Sequence, residues 1–173
     1  MTRDCAIRPE HPADADAVRA VTTAAFGRPD EAGIVDRLRK QARVYIGLVA
    51  TDGEAVVGHI LFTSVPLRGD GTPHTVIALA PMSVLPAWQC RGVGSALVRA
   101  GLAACHDAGH DVVIVVGHPE YYPRFGFVRA RPLGLTSEPP FPDETFMLAE
   151  LTRGALRGRR GVVVYGEEFG SAH

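Results

Sequence analysis

The residues whose types and spacing carry chemistry are Gln89-Cys90-Arg91-Gly92-Val93-Gly94-Ser95-Ala96-Leu97, which join a strand-like run ending Met82-Ser83-Val84 to an apolar helix. Such a joint suits a phosphate. The first four N–H groups of a helix have no internal partner, and the dipole adds roughly half a positive charge there, so an anion completes the helix start. Glycines at 92 and 94 keep Cβ atoms away from those amides, which lets a pyrophosphate approach the backbone. Two common phosphate motifs do not fit. The P-loop needs a lysine that is missing here. A dinucleotide fingerprint needs glycine or alanine three residues after Gly94, where Leu97 stands, and the acid about 20 residues further on, Asp111, opens a strand instead of closing one.

The elements that position this joint follow from the pattern. Cys5 to Arg8 alternates like a strand, and His11-Pro12-Ala13-Asp14 is a helix entry leading to apolar positions Val18, Val21 and Phe26. Gly27-Arg28-Pro29-Asp30 breaks that helix, and Ile34, Val35 and Leu38 mark a second, shorter one with Arg37, Arg39 and Lys40 toward its end. Strands Val44 to Val49 and Ala55 to Val65 flank Asp52-Gly53 as a hairpin. The loop Arg68 to Pro73 leads to a fourth strand, Thr75 to Val84. Pro81 removes a ladder N–H within it, which predicts a bulge or a lost neighbour and a split in the sheet.

After the joint, Val93, Ala96, Leu97, Ala100 and Leu102 to Ala104 form a helical apolar face that ends at Gly109. Val112 to Val116 is an unbroken β-branched run, the pattern of a strand covered on both faces, so strand, helix and strand make a right-handed parallel crossover. Strands are also expected at Phe146 to Leu151 and Val162 to Tyr165, with a long proline-rich loop over Pro132 to Pro142. Meander plus crossover gives one α+β domain spanning 1–173.

With its setting, the joint resembles the Gln/Arg-x-x-Gly-x-Gly/Ala signature of the GNAT superfamily of acetyl-CoA-dependent N-acetyltransferases. In that family the signature follows a bulged strand, opens a long helix, precedes a parallel strand and is followed by an element similar to Tyr122-Pro123-Arg124-Phe125-Gly126-Phe127. The likeness is tight from Leu79 to Phe127 and looser elsewhere. It implies a mixed, mostly antiparallel sheet, split between strands 4 and 5 and flanked by helices. It also implies acetyl-CoA as acyl donor, transferred by direct attack of a primary amine from a small molecule or a peptide. Backbone around Gln89, Cys90, Arg91, Gly92, Val93, Gly94, Ser95 and Ala96 would hold the pyrophosphate, while Met82, Ser83 and Val84 would offer strand backbone to the pantetheine arm and acetyl carbonyl. A non-catalytic acyl-CoA-binding or regulatory module on the same fold is the alternative.

Acetyl transfer needs a deprotonated amine, a polarised carbonyl and a proton for the departing thiolate. The resemblance puts Tyr122 at the general-acid position, with neighbouring Tyr121 as competitor, and makes the Val84 amide the oxyanion donor. Two residues compete for the base. Glu31 opens the second helix in the segment that flanks the acceptor cleft of GNAT folds, although an acid there ordinarily serves the helix dipole. His59 shares a strand face with Val57 and Leu61 and is of the residue type that ordinarily serves as a base near neutral pH, although a buried histidine ordinarily finds a partner in the core. His118 stands where many relatives have asparagine, and that residue's role does not transfer. Trp88 is either an adenine platform or a helix-entry staple. Of Arg91, Arg99 and Arg124, Arg91 is the one expected to meet phosphate.

Composition narrows the class. The 173 residues are 46% hydrophobic with a formal charge of -1, which suits one globular core and gives no general pull toward nucleic acid or an anionic membrane. No apolar run approaches the roughly 20 residues of a membrane span, and the polar start Met1-Thr2-Arg3-Asp4 is unlike a signal peptide. Cys5, Cys90 and Cys105 form no CxxC pair, consistent with a reducing, cytoplasmic setting. Cys105, His106 and His110 approach zinc-ligand spacing, but Gly109 breaks the helix between them and no metal is expected. A monomer or homodimer is expected.

Overall fold

The computed structural model describes residues 5–69 and 74–169. The expected turn at Arg68 to Pro73 lies outside the described residues from Asp70 onward, as does the start Met1 to Asp4. Strand β1 (Ala6–Pro9) leads through a short 3-10 turn to helices α1 (Ala15–Phe26) and α2 (Asp30–Gln41). Then come β2 (Tyr45–Asp52), β3 (Ala55–Arg68), β4 (His74–Val84), α3 (Val93–Asp107) and β5 (Val112–Val116). The remainder forms β6 (Val128–Arg129), β7 (Leu135–Glu138), β8 (Phe146–Glu150) and β9 (Gly161–Val164).

The sheet runs β1-β2-β3-β4-β5-β8-β6, with β9 paired to the end of β3 and β7 paired to β9. β1 to β4 are antiparallel neighbours, β4 and β5 are parallel, and β8 runs antiparallel to β5. The fold is α+β, a mixed and mostly antiparallel sheet with helices on both faces. Strand alternation divides its side chains between two cores. On one face Val49, Leu61, Ala78, Val112 and Ile114 pack with Val18 of α1 and Val35 and Leu38 of α2. On the other Phe62, Ile77, Val113 and Val115 pack with Leu97, Val98 and Cys105 of α3. The β-branched run of β5 therefore serves both faces.

The 3-10 turn Arg131–Leu133 and β7 replace the long loop expected over Pro132 to Pro142. Pro132 and Pro139 bracket β7 without interrupting it, and β7 pairs in parallel with β9 from Leu135↔Gly161 to Glu138↔Val164. β9 in turn adds to the far end of β3 through Leu67↔Val163. β6 is a two-residue pairing on β8 that leaves almost no periodic signal.

α3 lies unusually close to the sheet. A Cβ on Gly101 would overlap the Phe62 ring of β3, and one on Gly58 would stand 3.1 Å from Leu97 Cδ1. Gly101→Ala is expected to lower stability, because overpacking costs more than the ~1 kcal/mol of helix propensity that alanine returns. A net loss of about 1–2 kcal/mol corresponds to a melting temperature several degrees lower. Thermal unfolding that leaves the variant as stable as the parent would contradict this packing.

Candidate functional site

β4 and β5 pair over Ile77↔Val113, Ala78↔Ile114 and Leu79↔Val115. Beyond Leu79, β4 continues along β3 to Val84 without β5 beside it. The register between β3 and β4 shifts at Ala80-Pro81, which face Leu61 as a bulge, so the split falls at the proline. Leu85 N–H donates to the Val57 carbonyl at 2.9 Å. Antiparallel pairs alternate, so Ser83 bonds with His59 and the N–H and C=O groups of Met82 and Val84 face the open split. Gln89 Nε2 donates to the Val84 carbonyl at 3.0 Å, which leaves the Val84 N–H directed into the gap. The Ser83 side chain points into the α1/α2 face beside His59 and not into the gap.

The joint turns sharply. Cys90 has φ +60 and Gly92 φ +82, two left-handed residues that bend the chain from the 3-10 turn Pro86–Trp88 into α3. Only glycine adopts that region without cost, so Cys90 carries backbone strain. Gln89 to Gly92 is exposed, and a Cβ on Gly92 would meet nothing within 4 Å. The amides of the first turn from Val93 therefore open to solvent, with Ala96 N–H closing the helix onto the Gly92 carbonyl at 3.0 Å. A Cβ on Gly94 would lie 3.3 Å from Tyr121 Oη and 3.5 Å from Met82 Cε, so the joint abuts both the split strand and the tyrosine pair. Trp88 is half-buried against the α3 core with Arg91 stacked on it at 5.4 Å. Arg99 lies over Phe125 at 5.2 Å and Arg124 over Tyr121 at 4.7 Å.

The two tyrosines part company. Tyr121 Oη shares a hydrogen bond of 3.1 Å with Ser95 Oγ at the start of α3. Tyr122 turns the other way, into the cleft at the split, with 7% of its surface exposed. Its ring packs edge-on against Tyr121 and Phe127. Gly117 lies directly under it, and a Cβ at 117 would overlap the Tyr122 ring. Burial, reinforced by Tyr121, pushes the Tyr122 phenol up to about 12.

The cleft has a volume of about 730 Å³. Leu79, Pro81 and Met82 form one lip and Val115, Gly117 and His118 the other. Glu31 lines the cleft from the first turn of α2, buried but for 6% of its surface. Arg28 clasps it from the preceding loop, Nε to Oε1 and Oε2 at 3.0 and 3.1 Å and Nη2 to Oε1 at 2.5 Å. His59 is placed elsewhere. It is fully buried on the α1/α2 face, away from the cleft lining, with Nε2 3.1 Å from Glu10 Oε1. Arg39 Nη2 donates to the same oxygen at 3.0 Å. Burial works against the Glu10 charge, but His59, Tyr45 and Arg39 together hold its carboxyl below the usual range. His59 thus meets a buried carboxylate that its sequence neighbours did not announce. Among the described residues no group of three or more His, Cys, Asp or Glu is placed to hold a metal ion, and no helix is long and apolar enough to cross a membrane.

A family model described as an acetyltransferase (GNAT) domain matches residues 6–130. The uncharacterized N-acetyltransferase YhbS of Escherichia coli K12 is 34% identical over 164 residues, 94% of this chain and 97% of YhbS. YjhQ, another uncharacterized N-acetyltransferase of that strain, is 38% identical over 145 residues, 80% of each chain. The crystal structure of E. coli YhbS in complex with CoA superposes with a TM-score of 0.88 at 32% identity, covering 98% of this chain and 93% of that one. A GNAT acetyltransferase of Brucella melitensis in complex with acetyl-CoA gives a TM-score of 0.78 at 34% identity, covering 96% of this chain and 99% of that one.

Proposed function

The chain belongs to the GNAT family of N-acetyltransferases, and we propose that it moves an acetyl group from acetyl-CoA to an amine at the split between β4 and β5. The observation that carries this reading is the convergence on that split of an outward Val84 N–H, the Tyr122 side chain in the cleft lining and the amides at the start of α3. The site fits the donor. Backbone of Met82 and Val84 offers a strand edge to a pantetheine arm, and the exposed turn Gln89 to Gly92 with the amides to Ala96 offers a socket for its pyrophosphate. Acetyl-CoA supplies a thioester whose carbonyl carbon accepts the amine nitrogen while the carbon–sulfur bond breaks.

The protein's own groups then have separate tasks. The Val84 N–H stabilises charge on the carbonyl oxygen. Tyr122 Oη, protonated at neutral pH because burial raises it, gives its proton to the leaving sulfur. Glu31, the carboxylate in the cleft lining, anchors the incoming ammonium and takes up the proton that the nitrogen sheds. His59, sealed against Glu10, has no part in this. A non-catalytic role finds no support in a chain whose relatives are named N-acetyltransferases. Cys90 and Cys105 are free thiols, which suits a cytoplasmic enzyme.

Calorimetry with acetyl-CoA, followed by thiol release across a panel of amines, tests the reading. Binding and amine-dependent thiol release are expected, and no heat at high micromolar ligand would refute it. Glu31→Gln is expected to lower kcat/KM at pH 7 about tenfold or more. That deficit should shrink as pH climbs toward the amine's own pKa, about 10, where the nucleophile arrives deprotonated. A deficit that does not change with pH would remove Glu31 from proton transfer.

A further inference from the structure

We infer that the acceptor is a monoamine carried on a compact aromatic body, of the arylalkylamine type, an inference that rests on the transferase reading above. The wall of the cleft opposite the split is drawn from four distant segments: Phe26 at the end of α1, Ile34 in α2, Phe141 before β8, and Tyr165 and Phe169 after β9. Three of the rings interlock edge to face. Phe141 and Tyr165 are 5.6 Å apart at 83°, and Tyr165 and Phe169 are 5.1 Å apart at 85°. A flat apolar group placed among them finds the offset and perpendicular contacts that aromatic rings favour. Phe26 closes the mouth with 42% of its surface exposed, a large apolar side chain left against solvent at the edge of a cavity.

Charge sets the number of amines. Glu31 is the one carboxylate among the described residues lining the cleft, and it already carries Arg28 on one side. A carboxylate has about four acceptor positions, so Glu31 can also receive one ammonium. A second cation on the acceptor would find no second carboxylate among the described residues lining the cleft. Polyamines and aminoglycosides therefore fit this chamber poorly. The cleft volume of about 730 Å³ falls within the ordinary range for a small-molecule site.

The test measures both turnover and binding with 2-phenylethylamine, spermidine and an N-acetyl-lysine amide. Thiol release from acetyl-CoA should favour 2-phenylethylamine over spermidine by about a hundredfold in kcat/KM. Phe26→Ser, at a position with 42% of its surface exposed and with folding checked by thermal melting, should raise the KM for 2-phenylethylamine about tenfold and leave that for acetyl-CoA unchanged. Spermidine or the lysine amide used as well as 2-phenylethylamine would overturn the inference while leaving acetyl transfer intact, and so would an unchanged KM in Phe26→Ser. Equilibrium binding of 2-phenylethylamine to the CoA-loaded protein separates the other failure. Binding that Phe26→Ser weakens, with no thiol released from acetyl-CoA, would uphold the chamber and sink the transferase reading.

Discussion

Tyr122→Phe is expected to lower kcat about a hundredfold to ten-thousandfold, the range general-acid catalysis supplies, with affinity for acetyl-CoA nearly intact. The split between binding and turnover follows from the placement of the hydroxyl. Tyr122 points into the cleft, while the groups proposed for the pyrophosphate stand at the start of α3, where Tyr121 and Ser95 meet at 3.1 Å. Tyr121→Phe should do the reverse, weakening acetyl-CoA binding severalfold with a smaller change in kcat. The pH profile supplies an independent check. An acid works only while protonated, and burial with Tyr121 nearby pushes Tyr122 up to about 12. Its proton is therefore held through the whole range in which an amine near pKa 10 becomes nucleophilic. Activity should rise from pH 6 to pH 10 as the amine deprotonates and should show no alkaline fall in that interval. A descending limb centred near pH 9 that vanishes in Tyr122→Phe would mean that the phenol ionises far more easily than its surroundings allow. Unchanged turnover in Tyr122→Phe would move the proton donor elsewhere.

The parts of this site that the sequence made legible are those built from contiguous residues. Met82 to Ala96 could be read because one short run supplies the strand end, the left-handed turn and the helix start, and each leaves its own mark. The split could be read because Pro81 cannot donate a ladder hydrogen bond. What stayed hidden depends on partners far apart in the chain. Glu10 and His59 meet only because β1 and β3 both flank β2. β7 hid among prolines because its ladder is completed by β9, and a strand of four residues has too little pattern to stand out alone. The resemblance already favours Tyr122 over its neighbour, and what only the fold adds is that Tyr121 meets Ser95 while Tyr122 lines the cleft. The aromatic wall is the extreme case. Phe26, Phe141, Tyr165 and Phe169 have no spacing that relates them, and the strand pairing at the far end of β3 is what carries Tyr165 and Phe169 to the cleft. Glu31 could be named as a candidate, and its clasp by Arg28 is a local contact three residues apart, but its place in the cleft is a tertiary fact.

Gly117→Ala should cripple the enzyme nearly as much as removing the phenol itself. Gly117 follows β5 at the lip of the cleft, with its N–H bonded to the Thr145 carbonyl at 3.0 Å. Its backbone is not in the left-handed region, so alanine is conformationally acceptable there. The obstacle is space. The added Cβ would overlap the edge of the Tyr122 ring and stand 2.9 Å from Cδ2. Thr145 pins the residue from the other side, so the ring is the part that yields, and rotation of a buried tyrosine carries its hydroxyl away from the leaving sulfur. Misplacement of a catalytic group by about 1 Å costs on the order of a hundredfold. Because the methyl group acts through Tyr122, the two changes must not add. Gly117→Ala combined with Tyr122→Phe is expected to be no slower than Tyr122→Phe alone, a coupling that a double-mutant cycle in kcat measures directly. Acetyl-CoA affinity in Gly117→Ala should remain near that of the parent, since the amides at the start of α3 are untouched. Strictly additive losses would mean that Gly117 serves the reaction by some route other than the seat of Tyr122.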